Sequence, residues 1–516
     1  MIFRAPEPPL DLPEVPLTTF LFERASAQPD KAAFIDGPSG RVLTFGEWAT
    51  RVRRAAVALS QRGFGKGDVF AIYSPNLPEY AIAFHAIAVL GGIVTTISPL
   101  YTVGELTSQL RDSGAQYIVT APMFAEKATE AALAARLKEK FVFGEADGFT
   151  PFDSLSADGE LPVVHIDPRN DVVALPYSSG TTGLPKGVML THHNLVSNIL
   201  QSSVALDLVE DDVVLGVLPF FHIYGMVVIM NLGIYLGATV VTMPRFDLEQ
   251  CLTAMQDYRI SYAYVVPPIV LALAKHPLVD RYDLSRLRSM FSGAAPLGTE
   301  VAGAASRRLG CAVKQGYGLT ETSPVTHAVR LGSTVTAGVG PSLPNTETKV
   351  VDTETGAELG PNEEGEICIR GPQVMKGYLN RPEATAAMID SDGWLHTGDI
   401  GYADADGAFT IVDRLKELIK FKGLQVAPAE LEAILLGHPA IADAAVIPQR
   451  DEEAGEVPKA FVVLKSDVTP DEICAYVAER VAPHKRLRAI EITDQIPKSP
   501  SGKILRRLLV ARDRAQ

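Results

Sequence analysis

Short apolar runs alternate with amphipathic stretches through the first four-fifths of the chain, and this pattern constrains the fold most strongly. One amphipathic stretch begins near Thr44, carries apolar residues at helical spacing and meets Gly63 at its end. Five of the apolar runs are VFAIYS (69–74), YIVTA (117–121), VVALPYS (172–178), TVVTM (239–243) and YAYVV (262–266). Alternating strands and helices are typical of an α/β fold built on parallel sheets. The 516 residues exceed one ordinary core, which predicts at least two domains.

Two long apolar segments are predicted to be core rather than membrane spans. No Asp, Glu, Lys or Arg lies between Asp212 and Arg245, a length that could cross a bilayer. Proline and glycine divide this segment, however, into a predicted strand (VVLGVLP), loop (FFHIYG), buried helix (MVVIMNLGIYL) and second strand (ATVVTM). Segment 81–97 is similarly predicted to be a core helix, a break at Gly91–Gly92 and a strand. Such uninterrupted runs are typical of parallel sheets covered on both faces.

The residue composition and pattern change twice after about residue 330. After about residue 330, short segments rich in Gly, Thr and Glu predict a small β-rich unit, expected to be a small β-barrel. At VDRLKELIKFKG (412–423) charged and apolar residues alternate in an exposed ribbon, and a helix with Pro428 in its first turn is predicted to end at Gly437. We place a domain boundary at Asp413–Lys416. The predicted units are an N-terminal domain, 1–413, containing two α/β subdomains and the β-barrel, and a mobile α+β domain, 414–516.

Charge and cysteine content exclude several classes of protein. A net charge of -14 argues against a general nucleic-acid or anionic-membrane surface. The four cysteines form no CxxC pair or His/Cys cluster, so neither zinc nor a disulfide framework is expected. The N-terminus MIFRAPEPPLDLPEVP lacks the apolar region of a signal peptide.

The segment YSSGTTGLPKGV (177–188) has the composition of a phosphate-binding loop. Glycines and small hydroxyl residues expose backbone N–H groups and offer short donors, and one lysine adds a positive charge. The loop lacks the Gly-Lys-Ser/Thr ending of a Walker A motif. A flexible surface turn is the alternative, but apolar segments on both sides favour a strand–loop–strand cradle. The candidate residues are Ser178, Ser179, Gly180, Thr181, Thr182, Gly183 and Lys186.

A second motif, QGYGLTE (315–321), places an aromatic ring between two glycines. Position 321 is Glu, so the motif is not a dinucleotide fingerprint. Gly316 and Gly318 would let the Tyr317 ring lie against a base while the backbone comes close. Thr320 and Glu321 offer a hydroxyl for phosphate and a carboxylate for Mg²⁺. A helix cap with an acidic first turn is the alternative.

Three further motifs carry charged residues in loops. In GWLHTGDIG (393–401), Asp399 between glycines is expected in a turn, where a carboxylate could accept two ribose hydroxyls or merely stabilise an Asx turn. VDRLKELIK contains Arg414, Lys416 and Lys420, and taken alone such a run is usually a solvated face. In PKSPSGKILRRLL, Lys503 follows Gly502 in a loop that could reach a site on another domain, or could be a basic tail.

The five motifs in this order resemble the adenylate-forming superfamily of acyl-CoA synthetases, firefly-type luciferases and adenylation domains. The resemblance covers nearly the whole chain. LPFFHIYG, SGAAPLG, GEICIRGPQVMKGY, GWLHTGD and the run from VDRLKELIKFKGLQVAPAELE to SGKILRRLL are most similar to the 4-coumarate/cinnamate–CoA ligase branch. The resemblance implies that a carboxylic acid attacks the α-phosphate of MgATP, pyrophosphate leaves, and the CoA thiol then displaces AMP. ATP, Mg²⁺ and CoA are therefore the implied cofactor and co-substrates.

The resemblance also implies roles for individual residues. Lys503 would bridge the α-phosphate and the acid, Lys416 would be the hinge, and His222 would lie where the carboxylate and ring meet; a satisfied core histidine is the alternative. Lys420 and Gln425 match active-site positions, and Lys422 and Gly423 would shape the CoA tunnel. Glu321 would hold the metal. The positions implied to bind ATP or AMP are the 178–186 loop residues named above, Ala294, Ala295, Pro296, Gln315, Gly316, Tyr317, Gly318, Thr320, Asp399 and Arg414.

The residues implied to line the acyl pocket are less polar here than the plant pattern. They are Tyr224, Val228, Phe291, Gly316, Pro324 and Val325. Val228 stands where a small hydroxyl residue is common, and Phe291 where a basic residue is common. A phenolic hydroxyl left unpaired in such a pocket would be costly. We therefore expect cinnamate, or a medium-chain fatty acid, to be preferred over caffeate.

Several alternatives stay open from the sequence. They are a medium- or long-chain fatty acyl-CoA ligase, an enzyme that loads a carrier protein, a luciferase-like oxygenase and a non-catalytic nucleotide-binding protein. Lys503, Glu321 and Arg414 are all present, which disfavours the last. The ending ARDRAQ lacks a peroxisomal Ser-Lys-Leu, so a cytoplasmic location is expected. The expected partners are a small carboxylic acid and CoA, with no nucleic acid and no membrane span, and the expected state is a monomer or homodimer.

Overall fold

The computed structural model describes residues 1–178, 185–330, 332, 338–422, 424–451, 454–499 and 502–514. Helices separate the strands as the sequence predicts. The α-helices are Leu17–Ala25, Phe45–Gln61, Pro78–Val89, Val103–Ser113, Ala125–Ala135, His192–Ala205, Leu232–Leu236, Leu248–Asp257, Pro267–Lys275, Thr299–Leu309, Pro382–Ala386, Pro428–Gly437, Pro470–Ala478 and Arg506–Arg514. Short 3-10 segments are Pro122–Phe124, Phe152–Ser154, Pro277–Arg281, Thr320–Thr322 and Pro483–Lys485, and Tyr224–Asn231 is π-helical.

The first sheet has nine strands, with a parallel centre and antiparallel pairs at one end. Its order is Tyr177–Ser178, Lys186–Thr191, Val172–Ala174, Ile93–Ile97, Val69–Tyr73, Tyr117–Thr120, Glu139–Val142 and Thr150–Pro151, with Gly377–Tyr378 paired to Lys186–Thr191. Run 172–178, predicted as one strand, is two strands separated by Leu175 and Pro176. The strands on either side of residues 179–184 are antiparallel neighbours, which confirms the two predicted flanking strands.

The second sheet has eight strands and supplies most of the site. Its order is Val325–Ala328, Ala312–Gly318, Ser289–Ser292, Tyr262–Val265, Val213–Gly216, Thr239–Thr242, Ala32–Asp36 and Val42–Thr44. The six central strands are parallel to one another. Each of the two outermost strands is antiparallel to the central strand beside it. Two α/β subdomains therefore form the bulk of the chain, as predicted.

The β-rich unit is a five-stranded antiparallel sheet in the order Ile2–Arg4, Glu347–Val351, Gly365–Arg370, Leu395–Ala403 and Phe409–Arg414. Sequence reasoning missed its first strand, which comes from the N-terminus. The fourth sheet holds Leu424–Val426, Ile419–Phe421, Gly455–Leu464 and Ile441–Asp451, with Ala489–Ile492 parallel to Gly455–Leu464. The predicted helix from Pro428 to Gly437 is present.

The long apolar segments form the core. Every residue of helix Pro78–Val89 is buried, and so is every residue of the π-helical turn Tyr224–Asn231. Helix Phe45–Gln61 begins as predicted, because Thr44 and Glu47 form a reciprocal capping box. Within the described residues, none of the helices combines the length and the apolar character that crossing a membrane requires.

Candidate active site

The carboxyl ends of the parallel strands in the second sheet converge on one edge. Strands Val213–Gly216, Tyr262–Val265 and Ser289–Ser292 all point the same way, as does the first part of Ala312–Gly318. Ligands of open α/β sheets bind where such strand ends meet. The segments that follow these strands carry His222, Ala294 and Thr320, so three separate motifs meet here.

A tight turn after strand Ser289–Ser292 forms one wall of the predicted adenine slot. Ala294 adopts a left-handed conformation, with φ of 69°, and is exposed together with Pro296. The side-chain oxygen of Gln315 accepts a hydrogen bond from the Leu297 backbone N–H at 3.0 Å. This bond ties segment 294–297, including the half-buried Ala295, to the neighbouring strand.

Tyr317, Asp399 and Arg414 form one hydrogen-bonded group. The Tyr317 hydroxyl donates to Asp399 Oδ2 at 2.6 Å, and Arg414 Nε lies 3.2 Å from Asp399 Oδ1. Burial raises the pKa of Asp399, and the Arg414 charge and the Tyr317 hydroxyl oppose that rise. The group joins two sheets and fixes the Tyr317 hydroxyl and the Arg414 side chain beside the Asp399 carboxylate.

Asp399 does not lie in a turn, and the sequence expectation was wrong on this point. It lies within the nine-residue strand Leu395–Ala403, directly opposite Arg414. The turn was expected because glycines lie near Asp399 in the sequence. In the structure, Gly398 has a φ of 68° but remains within the strand. The strand places the carboxylate more rigidly than a turn would.

Gly316 and Gly318 permit close packing beside Tyr317. A Cβ at Gly318 would lie 1.9 Å from the backbone oxygen of Pro324, which only glycine avoids. A Cβ at Gly316 would lie 2.4 Å from Cζ of Phe291, so the Phe291 ring rests against the Gly316 backbone. The glycines therefore bring strand 312–318 close against neighbouring protein segments, and the predicted approach of Tyr317 to a base stays a prediction.

Lys186 and Glu321 are linked through a residue that sequence reasoning missed. The Lys186 ammonium lies 4.9 Å from the centre of the Tyr378 ring, and the Tyr378 hydroxyl donates to Glu321 Oε1 at 2.7 Å. Glu321 is buried in the 3-10 segment that begins at Thr320. Tyr378 closes the run GEICIRGPQVMKGY, and its place in a strand paired with Lys186–Thr191 is a long-range contact without a local sequence signal.

Of the other phosphate-loop candidates, one lies among the described residues. Ser178 pairs with Lys186 across the antiparallel strands. Ser179, Gly180, Thr181, Thr182 and Gly183 lie outside the described residues.

Lys503 reaches the site from the segment that precedes the last helix, Arg506–Arg514. A Cβ at the preceding Gly502 would lie 3.2 Å from Cγ2 of Val266, so this loop packs on the second sheet's edge. Burial and the Arg414 charge lower the pKa of Lys503 to about 8, partly opposed by Glu417 and Asp399. Burial and the Lys503 charge lower the pKa of His222 to about 4. The charged Lys503 and the neutral His222 therefore face one region.

The predicted acyl-pocket residues are clustered and mostly apolar. The Tyr224 hydroxyl donates to the Phe291 backbone oxygen at 2.9 Å, and so is not directed at a substrate. Val228, Phe291 and Val325 are buried. Pro324 follows a cis peptide bond and borders Gly318.

The hairpin 419–426 lies apart from this cluster. Lys420 and Gln425 pair across its two strands, and both side chains are exposed. Gln425 lines a cavity of about 370 Å³ that also touches Pro296. Lys416 and Lys422 are exposed, and Gly423 lies outside the described residues.

One His/Cys/Glu group lies in the five-stranded sheet, among the residues that the structure describes. Ligand atoms of Glu366, Cys368 and His396 all lie within 4.8 Å of one another. The Glu366 carboxylate is already paired with His396 Nδ1 at 2.9 Å and with the Gly398 N–H at 2.9 Å. These contacts brace the strand that carries Asp399.

Comparisons with known proteins agree with this geometry. The chain matches a family model for AMP-binding enzymes over residues 21–379 and one for the AMP-binding enzyme C-terminal domain over 430–503. It is 48% identical to 4-coumarate–CoA ligase 5 of Oryza sativa subsp. japonica, over 99% of this chain and 97% of that protein. It is 45% identical to 4-coumarate–CoA ligase of Pinus taeda, with the same coverage.

Solved structures resemble the model over nearly its full length. The anthranilate CoA ligase AuaEII in complex with anthranoyl-AMP has a TM-score of 0.90 at 26% identity, covering 98% of both chains. ATP-bound MatB from Rhodopseudomonas palustris has a TM-score of 0.88 at 29% identity, covering 97% of this chain and 99% of its own.

The fold and the clustered motifs define an adenylate-forming enzyme, and the chain belongs to the AMP-binding enzyme family. The resemblance to the 4-coumarate–CoA ligase branch is also confirmed, because full-length relatives of that name are 45–48% identical to it.

Proposed function

We propose that the protein is an AMP-forming acid–CoA ligase whose acid is an aryl-propenoate of the cinnamate type. The observation that carries the proposal is the convergence of Lys503 with the Tyr317–Asp399–Arg414 group and His222 at one strand edge. A cation from a distant part of the chain meets a nucleoside site beside an apolar pocket. Such an arrangement suits attack by a carboxylate on a nucleotide phosphate.

The charges explain why two lysines are needed. Two unit negative charges about 4 Å apart repel by roughly 4 kcal/mol at an effective dielectric of 20. Lys503 would offset this repulsion between the acid and the α-phosphate as charge develops in the transition state. Lys186 would hold the leaving pyrophosphate from the opposite side. Asp399 would hold the ribose, with Arg414 and Tyr317 keeping its carboxylate in place.

Mg²⁺ fits the residues present. Glu321 presents a buried carboxylate next to Thr320, and Tyr378 fixes one of its oxygens. Hard oxygen ligands of this kind suit Mg²⁺, which would neutralise phosphate charge when bound with ATP.

We further propose that residues 1–413 and 414–516 act as two units that rotate about Lys416. In support, the described strands of the first three sheets lie between residues 2 and 414, and those of the fourth lie between 419 and 492. Rotation would withdraw Lys503 and bring the hairpin with Lys420, Lys422 and Gln425 towards the acyl-adenylate. Lys422 and Gly423 would then border the CoA tunnel.

A cytoplasmic location and a monomeric or dimeric state stay predictions of the sequence.

The acyl pocket should discriminate against hydroxylated rings. Val228 and Phe291 are buried without a polar group, and Tyr224 is already committed to a backbone oxygen. A ring hydroxyl would lose its water without gaining a partner, which costs about 1–3 kcal/mol. We therefore expect kcat/KM for cinnamate to exceed that for caffeate by roughly tenfold or more. Steady-state CoA-ligase assays on both acids test this, and faster turnover of caffeate would refute the pocket assignment.

A panel of acids tests the proposed substrate class. Cinnamate, coumarate, benzoate, octanoate and palmitate would each be supplied with ATP and CoA while AMP and thioester are measured. We expect cinnamate to give the highest kcat/KM. A maximum at octanoate or palmitate would instead favour a fatty acyl-CoA ligase, and acyl-AMP that accumulates with CoA but disappears with a carrier protein would favour a carrier-loading enzyme.

The kcat/KM for acyl-AMP formation should fall as the pH rises through about 8, which gives its pH profile an alkaline limb. Lys503 is charged below its pKa of about 8 and neutral above it, so its contribution is lost as pH rises through that value. The pH profile of kcat/KM for acyl-AMP formation reports the free enzyme and is the appropriate measurement. Thioester formation from pre-made acyl-AMP should lack this limb, and an identical limb in both half-reactions would contradict the assignment.

A further inference from the structure

A buried arginine connects the Lys503 loop to the proposed pivot. Arg506 begins the last helix, three residues after Lys503, and its side chain is 13% exposed. Its guanidinium donates to both oxygens of Glu432, at 2.7 and 2.8 Å, to the Val446 backbone oxygen at 3.2 Å, and to Glu417 Oε2. Its three nitrogens therefore all have acceptors.

Glu417 belongs to the turn that contains the pivot. The Glu417 and Leu418 backbone N–H groups both donate to the Arg414 oxygen, at 2.9 and 3.1 Å, so a tight turn encloses Lys416. The Leu415 N–H donates to the Gly398 oxygen at 2.9 Å, beside Asp399. Glu417 is therefore fixed on one side relative to the Tyr317–Asp399–Arg414 group, called the nucleoside group below, and on the other side relative to Arg506.

Lys503 lies among several charged or titratable groups from different elements. Two cations and two carboxylates act on it, and it in turn acts on one histidine: Arg414, Arg506, Glu417, Asp399 and His222. Of the carboxylates, Asp399 is already bound by Arg414 and Tyr317. Glu417 is the carboxylate that also contacts the helix following Lys503.

We propose that Glu417 is a positioning residue for the adenylation reaction, which holds Arg506 and thereby fixes Lys503 against the pivot turn while balancing the cations around it. This inference rests on the proposed function of Lys503. Glu432 has a different role, because it also accepts the Val446 N–H at 2.8 Å and anchors Arg506 to the C-terminal sheet. Glu417 connects that anchored arginine to the nucleoside group.

Glu417→Gln keeps the side-chain shape and removes the charge. Chemical labelling at a series of pH values then measures the titration midpoint of Lys503. Acetic anhydride labelling of Lys503, followed by peptide mass spectrometry, measures the fraction of neutral amine without requiring catalysis. In the wild type the midpoint is expected at about pH 8. Removing the Glu417 charge, which favours the protonated form of Lys503, should move the midpoint to roughly pH 7. The charged fraction at pH 8 then falls about fivefold, and acyl-AMP formation should fall at least that much.

Two matched variants separate this role from general stability. Glu430→Gln removes an equivalent carboxylate that pairs with Lys485 at 2.7 Å in the same domain, and should leave the Lys503 midpoint near pH 8. Glu417→Asp keeps the charge and should restore the midpoint, which preserves the test if Glu417→Gln folds poorly. Thermal unfolding would be recorded for all variants.

An unchanged midpoint in Glu417→Gln would overturn the proposal, and so would equal losses in acyl-AMP formation and in thioester formation from pre-made acyl-AMP. Failure of the proposed function looks different, because the wild type would then form no acyl-AMP with any acid. The labelling midpoint would still decide whether Glu417 keeps Lys503 charged.

Discussion

Lys503→Ala is expected to reduce acyl-adenylate formation by roughly 10²–10³-fold or more, comparable to removing a donor that stabilises transition-state charge. Lys503 contributes a cation from the segment before helix Arg506–Arg514, and the charges of Arg414 and Asp399 act on it. Without it, the repulsion between carboxylate and α-phosphate is offset only by the groups around pyrophosphate. Rapid-quench measurement of acyl-AMP from ATP and cinnamate gives the rate directly.

The second half-reaction is the internal control for this variant. Thioester formation from pre-made acyl-AMP should proceed close to the wild-type rate, because rotation about Lys416 would remove Lys503 from the site before CoA attacks. Lys485→Ala, which removes a lysine paired with Glu430 in the same domain, should leave both half-reactions intact. Equal loss of both half-reactions in Lys503→Ala would contradict the two-state account.

Asp399→Ala should raise KM for ATP by roughly a hundredfold or more, because two ribose hydroxyls would each lose a hydrogen bond to a charged acceptor, worth about 1.5–3 kcal/mol apiece. The substitution removes the proposed ribose acceptor and the partner of both Arg414 and Tyr317. Calorimetric titration of the variant with ATP would measure the lost affinity without requiring turnover.

Asp212→Ala is a matched control for Asp399→Ala. Asp212 is also buried and pairs with Arg288, with Oδ1 2.9 Å from Arg288 Nε, but it precedes strand Val213–Gly216 at the end away from the site. This variant should lower the free energy of unfolding while leaving the affinity for ATP unchanged. If both variants lost ATP affinity equally, the effect of Asp399→Ala would reflect general destabilisation.

The sequence predicted the features that depend on local pattern. Helix Phe45–Gln61 was predicted from its apolar spacing, and its capping box explains the start at Thr44. Segment 81–97 was correctly divided at its two glycines into helix and strand. Apolar periodicity and glycine positions determine these elements within one stretch of chain, so a single sequence contains the information.

Features that depend on contacts between distant segments could not be predicted this way. Strand Ile2–Arg4 exists because it pairs with Glu347–Val351, and nothing in three N-terminal residues indicates that partner. Asp399 was expected in a turn because glycines lie on both sides of it, but pairing with Arg414 of the neighbouring strand places it within a strand. Tyr378 joins Lys186 to Glu321 only in the folded chain.

The candidate site was also predictable only in part. The order of the motifs along the chain, through the family resemblance, identified the nucleoside, metal and lysine candidates. The contacts that bring Tyr317, Asp399, Arg414 and Lys503 together appear only in the folded chain. The anchoring network around Arg506 was missed, because Glu417, Glu432 and Arg506 are spread over some ninety positions of sequence.

Exchange of labelled pyrophosphate into ATP, with cinnamate present and CoA omitted, tests the central claim most directly. Formation of an acyl-adenylate is reversible, so the account predicts exchange that requires the acid, is lost in Lys503→Ala, and yields AMP and cinnamoyl-CoA once CoA is added. Absence of exchange with every acid tested, or release of ADP and phosphate in place of AMP and pyrophosphate, would contradict it.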